Sequence, residues 1–183
     1  APSNWNSQPW CLYFFDTKEE IATLCDGMDS RADAALANAE DHHLHHFVSH
    51  CMSYFYAVRD SPVVVAMFYK PFSPRLEELL AESFGDETRG GGWNPNLISF
   101  GMAAQNMLLA AHSMGLAGCF HSGPVAFVDG HIHEMLGLHP KLILGGLITL
   151  GWPDESEEPG SKAKRKKLDL FLNYADERIK GKK

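Results

Sequence analysis

Several things are scarce in this 183-residue sequence, and each scarcity narrows the reading. No apolar run approaches the roughly 20 residues that a membrane-spanning helix needs. There is no signal-peptide pattern and no N-x-S/T sequon. The four cysteines, Cys11, Cys25, Cys51 and Cys119, form no C-x-x-C pair and share no regular spacing, so they read as reduced thiols. Positive charge is short as well: a net charge of −7 argues against broad affinity for a phosphate backbone. No internal repeat and no low-complexity linker divides the chain. These absences leave a soluble, cytoplasmic protein, one domain over 1–183, with no nucleic acid and no membrane as partner.

What is present alternates between strand and helix. The aromatic run at 10–15 ends at Asp16-Thr17, where a side-chain oxygen can cap a helix from Lys18 to about Met28. An Ala-rich stretch at 30–58 has neither proline nor glycine, so it reads as one long helix or two short ones capped by Asp29 or Ser30. Ser61-Pro62 breaks that pattern. The β-branched, continuously apolar segment 63–68 then reads as a central strand buried on both faces. Segment 69–93, with Pro71, Pro74 and Gly90-Gly91-Gly92, reads as a mobile excursion with a helical turn or two around 76–83.

Asn94-Pro95 opens the next helix. Residues 97–114 are almost uncharged and apolar all round, as expected of a helix in the core or at a subunit interface, and Gly115 stops it. A short link at 117–123 leads to a helix over about 124–136, then a second central strand over 142–150 ending in Gly151-Trp152-Pro153. A last amphipathic helix is expected over about 161–179, following an acidic stretch at 154–158 and carrying the basic run Lys162, Lys164, Arg165, Lys166 and Lys167. Pattern alone also allows a parallel α/β sheet.

Two clusters invite chemistry. The opening loop, Pro2-Ser3-Asn4-Trp5-Asn6-Ser7-Gln8-Pro9-Trp10, is rich in short hydroxyl and amide side chains that both donate and accept hydrogen bonds. Read alone, it also fits a polar turn ahead of a strand. His42, His43, His45, His46 and His50 crowd another segment, with His42/His46 and His46/His50 at the i, i+4 spacing of a chelating pair. No cysteine or carboxylate completes a ligand set there, so no metal site is expected and these histidines read as solvated or channel-lining. His131 and His133, two apart, read as surface residues.

Four segments together resemble the FMN-dependent nitroreductase family. They are the opening Pro2-Ser3-x-x-Asn6-x-Gln8-Pro9-Trp10, the helix 104–111 running into Met114-Gly115-Leu116, the turn Leu136-Gly137-Leu138-His139-Pro140, and the strand end Leu150-Gly151-Trp152-Pro153-Asp154-Glu155. They stand in the family's order and cover nearly the whole chain. The resemblance implies an α+β sandwich with a mostly antiparallel central sheet flanked by helices, assembled as a homodimer with two FMN sites at the interface. It implies electron transfer from NAD(P)H to an electron-poor acceptor, a nitroaromatic or a quinone, by a ping-pong mechanism in which hydride reaches FMN N5.

Carried onto this sequence, the family's flavin contacts fall on Pro2, Ser3, Asn4 and Asn6, on Ser99 near the pyrimidine edge, and on the backbone at His121, Ser122 and Gly123 beside N5 and O4. The phosphate contacts fall on Lys164, Arg165 and Lys166. No catalytic acid or base is implied, and segment 69–93, with Phe68, Tyr69, Phe72 and Trp93, is expected to act as an aromatic lid. The family's Arg-rich segment upstream of the Pro-Ser loop has no counterpart in this sequence, so the domain is expected to be N-terminally incomplete. The alternative is a degenerate member with weak or no flavin binding that acts as a non-enzymatic binding protein.

Overall fold

Alternation of side chains across the pleat explains how the central strands are covered. A computed structural model describes residues 1–39, 41–72, 75, 78–79, 82–83, 94–154 and 156. Strand β2 (Val63–Tyr69) sends Val64, Ala66 and Phe68 into one core and Val65, Met67 and Tyr69 into another. Helices lie on both faces, which is why this strand is continuously apolar instead of alternating with polar residues. Strand β1 (Trp10–Phe15) pairs with one side of β2 and β4 (Ile143–Gly151) with the other; β3 (Ala117–His121) lies on the far side of β4. The order is β1-β2-β4-β3 and every pairing is antiparallel. The sheet is thus the antiparallel one expected of an α+β sandwich, and the parallel arrangement that pattern allowed is overturned.

The expected link at 117–123 is corrected to strand β3 over most of its length. Ala-Gly-Cys-Phe-His has weak intrinsic strand preference, and its conformation comes from pairing with β4, Ala117 opposite Gly151 through His121 opposite Leu147. In the β2–β4 pair the register slips between Met67 and Phe68, leaving Gly145 as the extra residue of a bulge. A Cβ on Gly145 would run into the Phe100 ring, and one on Gly146 into the Phe120 ring. The two glycines therefore make room for an aromatic cluster against the sheet, Phe100 meeting Phe120 edge-on at 6.1 Å and Tyr69 at a tilt at 5.4 Å.

Helix α1 (Lys18–Ala37) opens with the Thr17 hydroxyl accepting from the Glu20 N–H while Glu20 reaches back to the Thr17 N–H. It does not stop near Met28, and Asp29 and Ser30 do not cap a new helix. Gly27 lies mid-helix beneath the His131 ring, and Gly130 lies beneath the Arg31 guanidinium, so α1 and α5 (Val125–Leu136) approach closely at both points. The break comes later, where the Asp41 carboxylate accepts from the Leu44 N–H at 2.8 Å and starts α2 (His42–Met52), followed by α3 (Phe55–Arg59). Arg59 pairs with Asp29 of α1. Burial pushes the nearby Cys25 thiol up, against the opposing pull of Arg59. Phe15, Ile21, Leu24, Met28, Val58, Phe127, Val128 and Ile132 fill the core on this face.

Among the described residues, helix α4 (Pro95–Ser113) covers the other face, with Phe100 and Ala104 against Val65, Met67 and Ile148. Its outer side keeps Leu97, Ile98, Met102 and Leu109 exposed. All four cysteines are free, and no helix among the described residues is long and apolar enough to cross a membrane. The chain divides into two units, Ala1–Pro153 and Asp154–Lys183. In the second, the Ser156 N–H and hydroxyl both donate to Asp154, holding its carboxyl below the usual range. The helix expected over 161–179, the basic residues Lys164, Arg165 and Lys166, and most of segment 73–93 lie outside the described residues. Residues 75, 78, 79, 82 and 83 are described and are helical, in line with the turn expected there.

Gly146→Ala is expected to destabilise the protein by about 1–3 kcal/mol in urea unfolding, because the new methyl displaces the Phe120 ring. Adding Phe120→Ala to that variant should remove the coupling; a full additive loss would count against the packing described.

Candidate functional site

The strand register places three chain segments at one end of the sheet. Trp10 of β1 stands opposite Tyr69 of β2, which stands opposite Ile143 of β4, and β3 runs toward the same end. The loop entering β1, the start of α4 and the residues leaving β3 therefore gather there, along an edge of four strands about 14 Å wide. Hydrogen bonds tie the first two together. The Lys70 N–H donates to the Pro9 carbonyl at 2.8 Å, and the buried Asn96 amide donates to the Lys70 carbonyl at 3.1 Å. The buried Ser99 hydroxyl donates to the Pro95 carbonyl at 2.7 Å and accepts from the Asn4 N–H at 3.1 Å.

Those ties hold a contorted loop. Trp5, Asn6 and Gln8 have φ of 49°, 54° and 45°, all in the left-handed region without a glycine among them. Asparagine tolerates that region, whereas for a Trp or Gln it costs about 1–2 kcal/mol. Local bonds offset the cost. The Ser3 hydroxyl accepts from the Gln8 N–H and its carbonyl from the Asn6 N–H, both at 3.1 Å; the Asn4 carbonyl accepts from the Ser7 N–H at 3.0 Å. The Asn6 side-chain oxygen accepts from the Gln8 amide at 3.2 Å. Pro2 and Asn6 are exposed and Ser3 and Asn4 half-buried, so the loop shows amide and hydroxyl groups to solvent at the sheet end.

The third segment offers main chain. His121 ends β3 buried, its Nε2 3.0 Å from the Thr149 hydroxyl, and burial lowers its pKa so that the neutral ring is favoured. Its side chain is thus committed to the sheet. Ser122 and Gly123 are exposed, their N–H groups have no partner among the described residues, and nothing occupies the space where a Gly123 Cβ would stand. They lie just ahead of α5, whose N-terminal dipole favours negative charge.

The structure therefore brings Pro2, Ser3, Asn4 and Asn6 together with Ser99, and sets His121, Ser122 and Gly123 at the same end of the sheet. Lys164, Arg165 and Lys166 lie outside the described residues. Sequence reasoning missed Asn96, Lys70 and Thr149. Asn96 carried only a weak signal, an amide in the first turn of a helix with almost no charge; Lys70 acts through its backbone and carried none.

His131 and His133 are corrected from surface residues to packing ones. His131 donates through Nε2 to the Thr23 carbonyl at 3.0 Å. His133 links the Asp129 and Leu142 carbonyls and meets the Phe68 ring edge-on. His42, His43, His45, His46 and His50 are exposed on α2, and among the described residues no group of three metal-ligating side chains stands together. A groove of about 330 Å³ lined by Tyr56, Asp60, Pro62, Cys119 and Trp152 lies at the opposite end of the sheet and contains none of the expected site residues.

Comparison with known proteins adds two findings. Residues 1–152 match the nitroreductase family model. Similar solved structures include a BluB-like flavoprotein from Clostridium difficile, 19% identical, covering 95% of this chain and 83% of that one at a TM-score of 0.70. A nitroreductase with bound FMN from Bacteroides fragilis is 20% identical over 95% and 80% of the two chains, TM-score 0.63. An iodotyrosine deiodinase bound to FMN and 3-iodo-L-tyrosine is 17% identical over 95% and 80%, also 0.63. At these identities the likeness is one of fold. No curated protein matches this chain.

Ser99→Ala should lower stability by about 1–3 kcal/mol in urea, since it strands the Asn4 N–H, with Ser99→Thr, which keeps the hydroxyl, recovering most of the loss. His121 gives a pH dependence with a definite sign. Its folded pKa lies below the unfolded value of about 6.5, so stability is full above that pH and falls as the unfolded chain takes up a proton the folded chain refuses. Replacing it with Gln should flatten the decline in Tm between about pH 6.5 and pH 5; an unchanged decline would assign the effect to other groups.

Proposed function

This chain belongs to the nitroreductase family, and we propose that it is an FMN-dependent oxidoreductase carrying electrons from NAD(P)H to an electron-poor aromatic acceptor. The single observation that carries this reading is the contorted loop clamped by Ser99, at the same end of the sheet as the N–H groups of Ser122 and Gly123, which have no partner among the described residues. A flavin ring needs mixed donors and acceptors along its pyrimidine edge and fixed donors where negative charge develops. The donor set at this end fits that need.

On this reading Pro2, Ser3, Asn4 and Asn6 line the ring's polar edge, and Ser99 acts as a positioning residue because both its hydrogen bonds are already spent on the loop and helix. His121 contributes through its backbone, its imidazole being held by Thr149. The main-chain donors of Ser122 and Gly123 stabilise negative charge without having to reorganise. Lys164, Arg165 and Lys166 are proposed to neutralise the phosphate. Bound FMN would supply the two-electron chemistry, accepting from NAD(P)H and then reducing the acceptor in separate halves of a ping-pong cycle. No side chain needs to serve as acid or base. The exposed apolar face of α4, Leu97, Ile98, Met102 and Leu109, supports a homodimer, and a cytoplasmic location suits a chain whose four thiols are free.

The purified protein should be yellow, or become so on adding FMN, and should bleach under anaerobic NADH or NADPH and recolour on adding a nitroaromatic or quinone. A colourless protein that ignores added FMN would instead favour a non-enzymatic binding protein on the same fold.

A further inference from the structure

Trp5 is the most conspicuous side chain that the fold leaves unexplained. It is 88% exposed, and its indole has no hydrogen bond or ring contact among the described residues. Its backbone is left-handed, φ 49° and ψ 30°, a region that suits glycine or asparagine and is an outlier for a bulky residue. The residues around it are firmly tied, Asn4 to Ser99 through its N–H and to Ser7 through its carbonyl, and Ser3 to Asn6 and Gln8. The loop thus holds a large aromatic ring in a strained position from which the described residues draw no packing.

We propose that Trp5 is a specificity-determining residue that stacks on flat, electron-poor aromatic acceptors at the sheet end. The proposal rests on the flavoenzyme reading and adds to it the side chain that selects the aromatic acceptor. An indole presents an electron-rich face, which attracts an electron-poor ring in an offset stack. A small inorganic anion gains nothing from the same surface. The geometry agrees, because Trp5 sits between Asn4 and Asn6, the amide residues proposed to line the flavin edge, and so stands beside the site without being committed to it. Trp152, the other highly exposed indole among the described residues, lies at the far end of the sheet by the groove.

The test uses the full chain loaded with FMN, with saturating reduced dinucleotide, and compares nitrofurazone with ferricyanide as acceptor. Trp5→Ala should raise KM for nitrofurazone about three- to tenfold and leave KM for ferricyanide unchanged, with Trp5→Phe recovering most of the loss. Trp5→Gly should show the same KM change and in addition raise the Tm of the flavin-free protein by a few degrees, because glycine relieves the left-handed strain. An unchanged nitrofurazone KM, a parallel change with ferricyanide, or loss of bound flavin in Trp5→Ala would each overturn the assignment. A wild-type protein that holds no flavin would overturn the proposed function itself, a result distinct from those three.

Discussion

The Ser99 hydroxyl is the hinge on which the arrangement depends. It lies buried at the start of α4, gives its proton to the Pro95 carbonyl and takes the Asn4 N–H, and so joins a core helix to a loop 95 residues earlier in sequence. The loop's own bonds offset the left-handed backbone of Trp5, Asn6 and Gln8, and the Ser99 bond anchors that loop to the core. The neighbouring relay, Asn96 to Lys70 to Pro9, fixes the point at which the loop enters β1. Two buried polar side chains one helical turn from an apolar core thus set the shape of the polar end.

The rest of the fold makes that end available. Antiparallel pairing throughout brings the start of β1 and the exits of β2 and β3 to one end of the sheet. The bulge at Gly145 and the bare surface of Gly146 let Phe100 and Phe120 lie close on the sheet, which seats α4 and with it Ser99. The opposite face is closed by α1 and α5, joined where Gly27 and Gly130 admit a partner's side chain. Packing precision on both faces therefore serves the geometry of an edge that is itself thinly packed.

Much of this was legible in the residues. Continuous apolar runs identify β2 and β4, Thr17 and Asn94 mark helix starts as their side chains suggest, and the family resemblance supplies the antiparallel sheet that periodicity alone left open. The misses have physical causes. β3 is a strand because β4 offers it a ladder, and Ala117-Gly118-Cys119 carries no propensity to announce that. α1 runs on past the stop expected near Met28 and the caps expected at Asp29 or Ser30, packed against α5 where His131 lies over Gly27 and Arg31 over Gly130, tertiary contacts that the local sequence does not show. At the site, the loop residues and Ser99 were singled out from the family resemblance as flavin contacts; that Ser99 spends both its bonds on positioning could be seen only once Pro95 and Asn4 stood beside it.

Amide hydrogen exchange at Asn4, followed by NMR in the wild type and in Ser99→Ala, tests the central claim most directly. A protected Asn4 N–H in the wild type that exchanges freely in Ser99→Ala, while the amides of β1 keep their protection, is the expected result. An Asn4 amide that already exchanges like an unstructured terminus in the wild type would contradict the clamp and the site built on it.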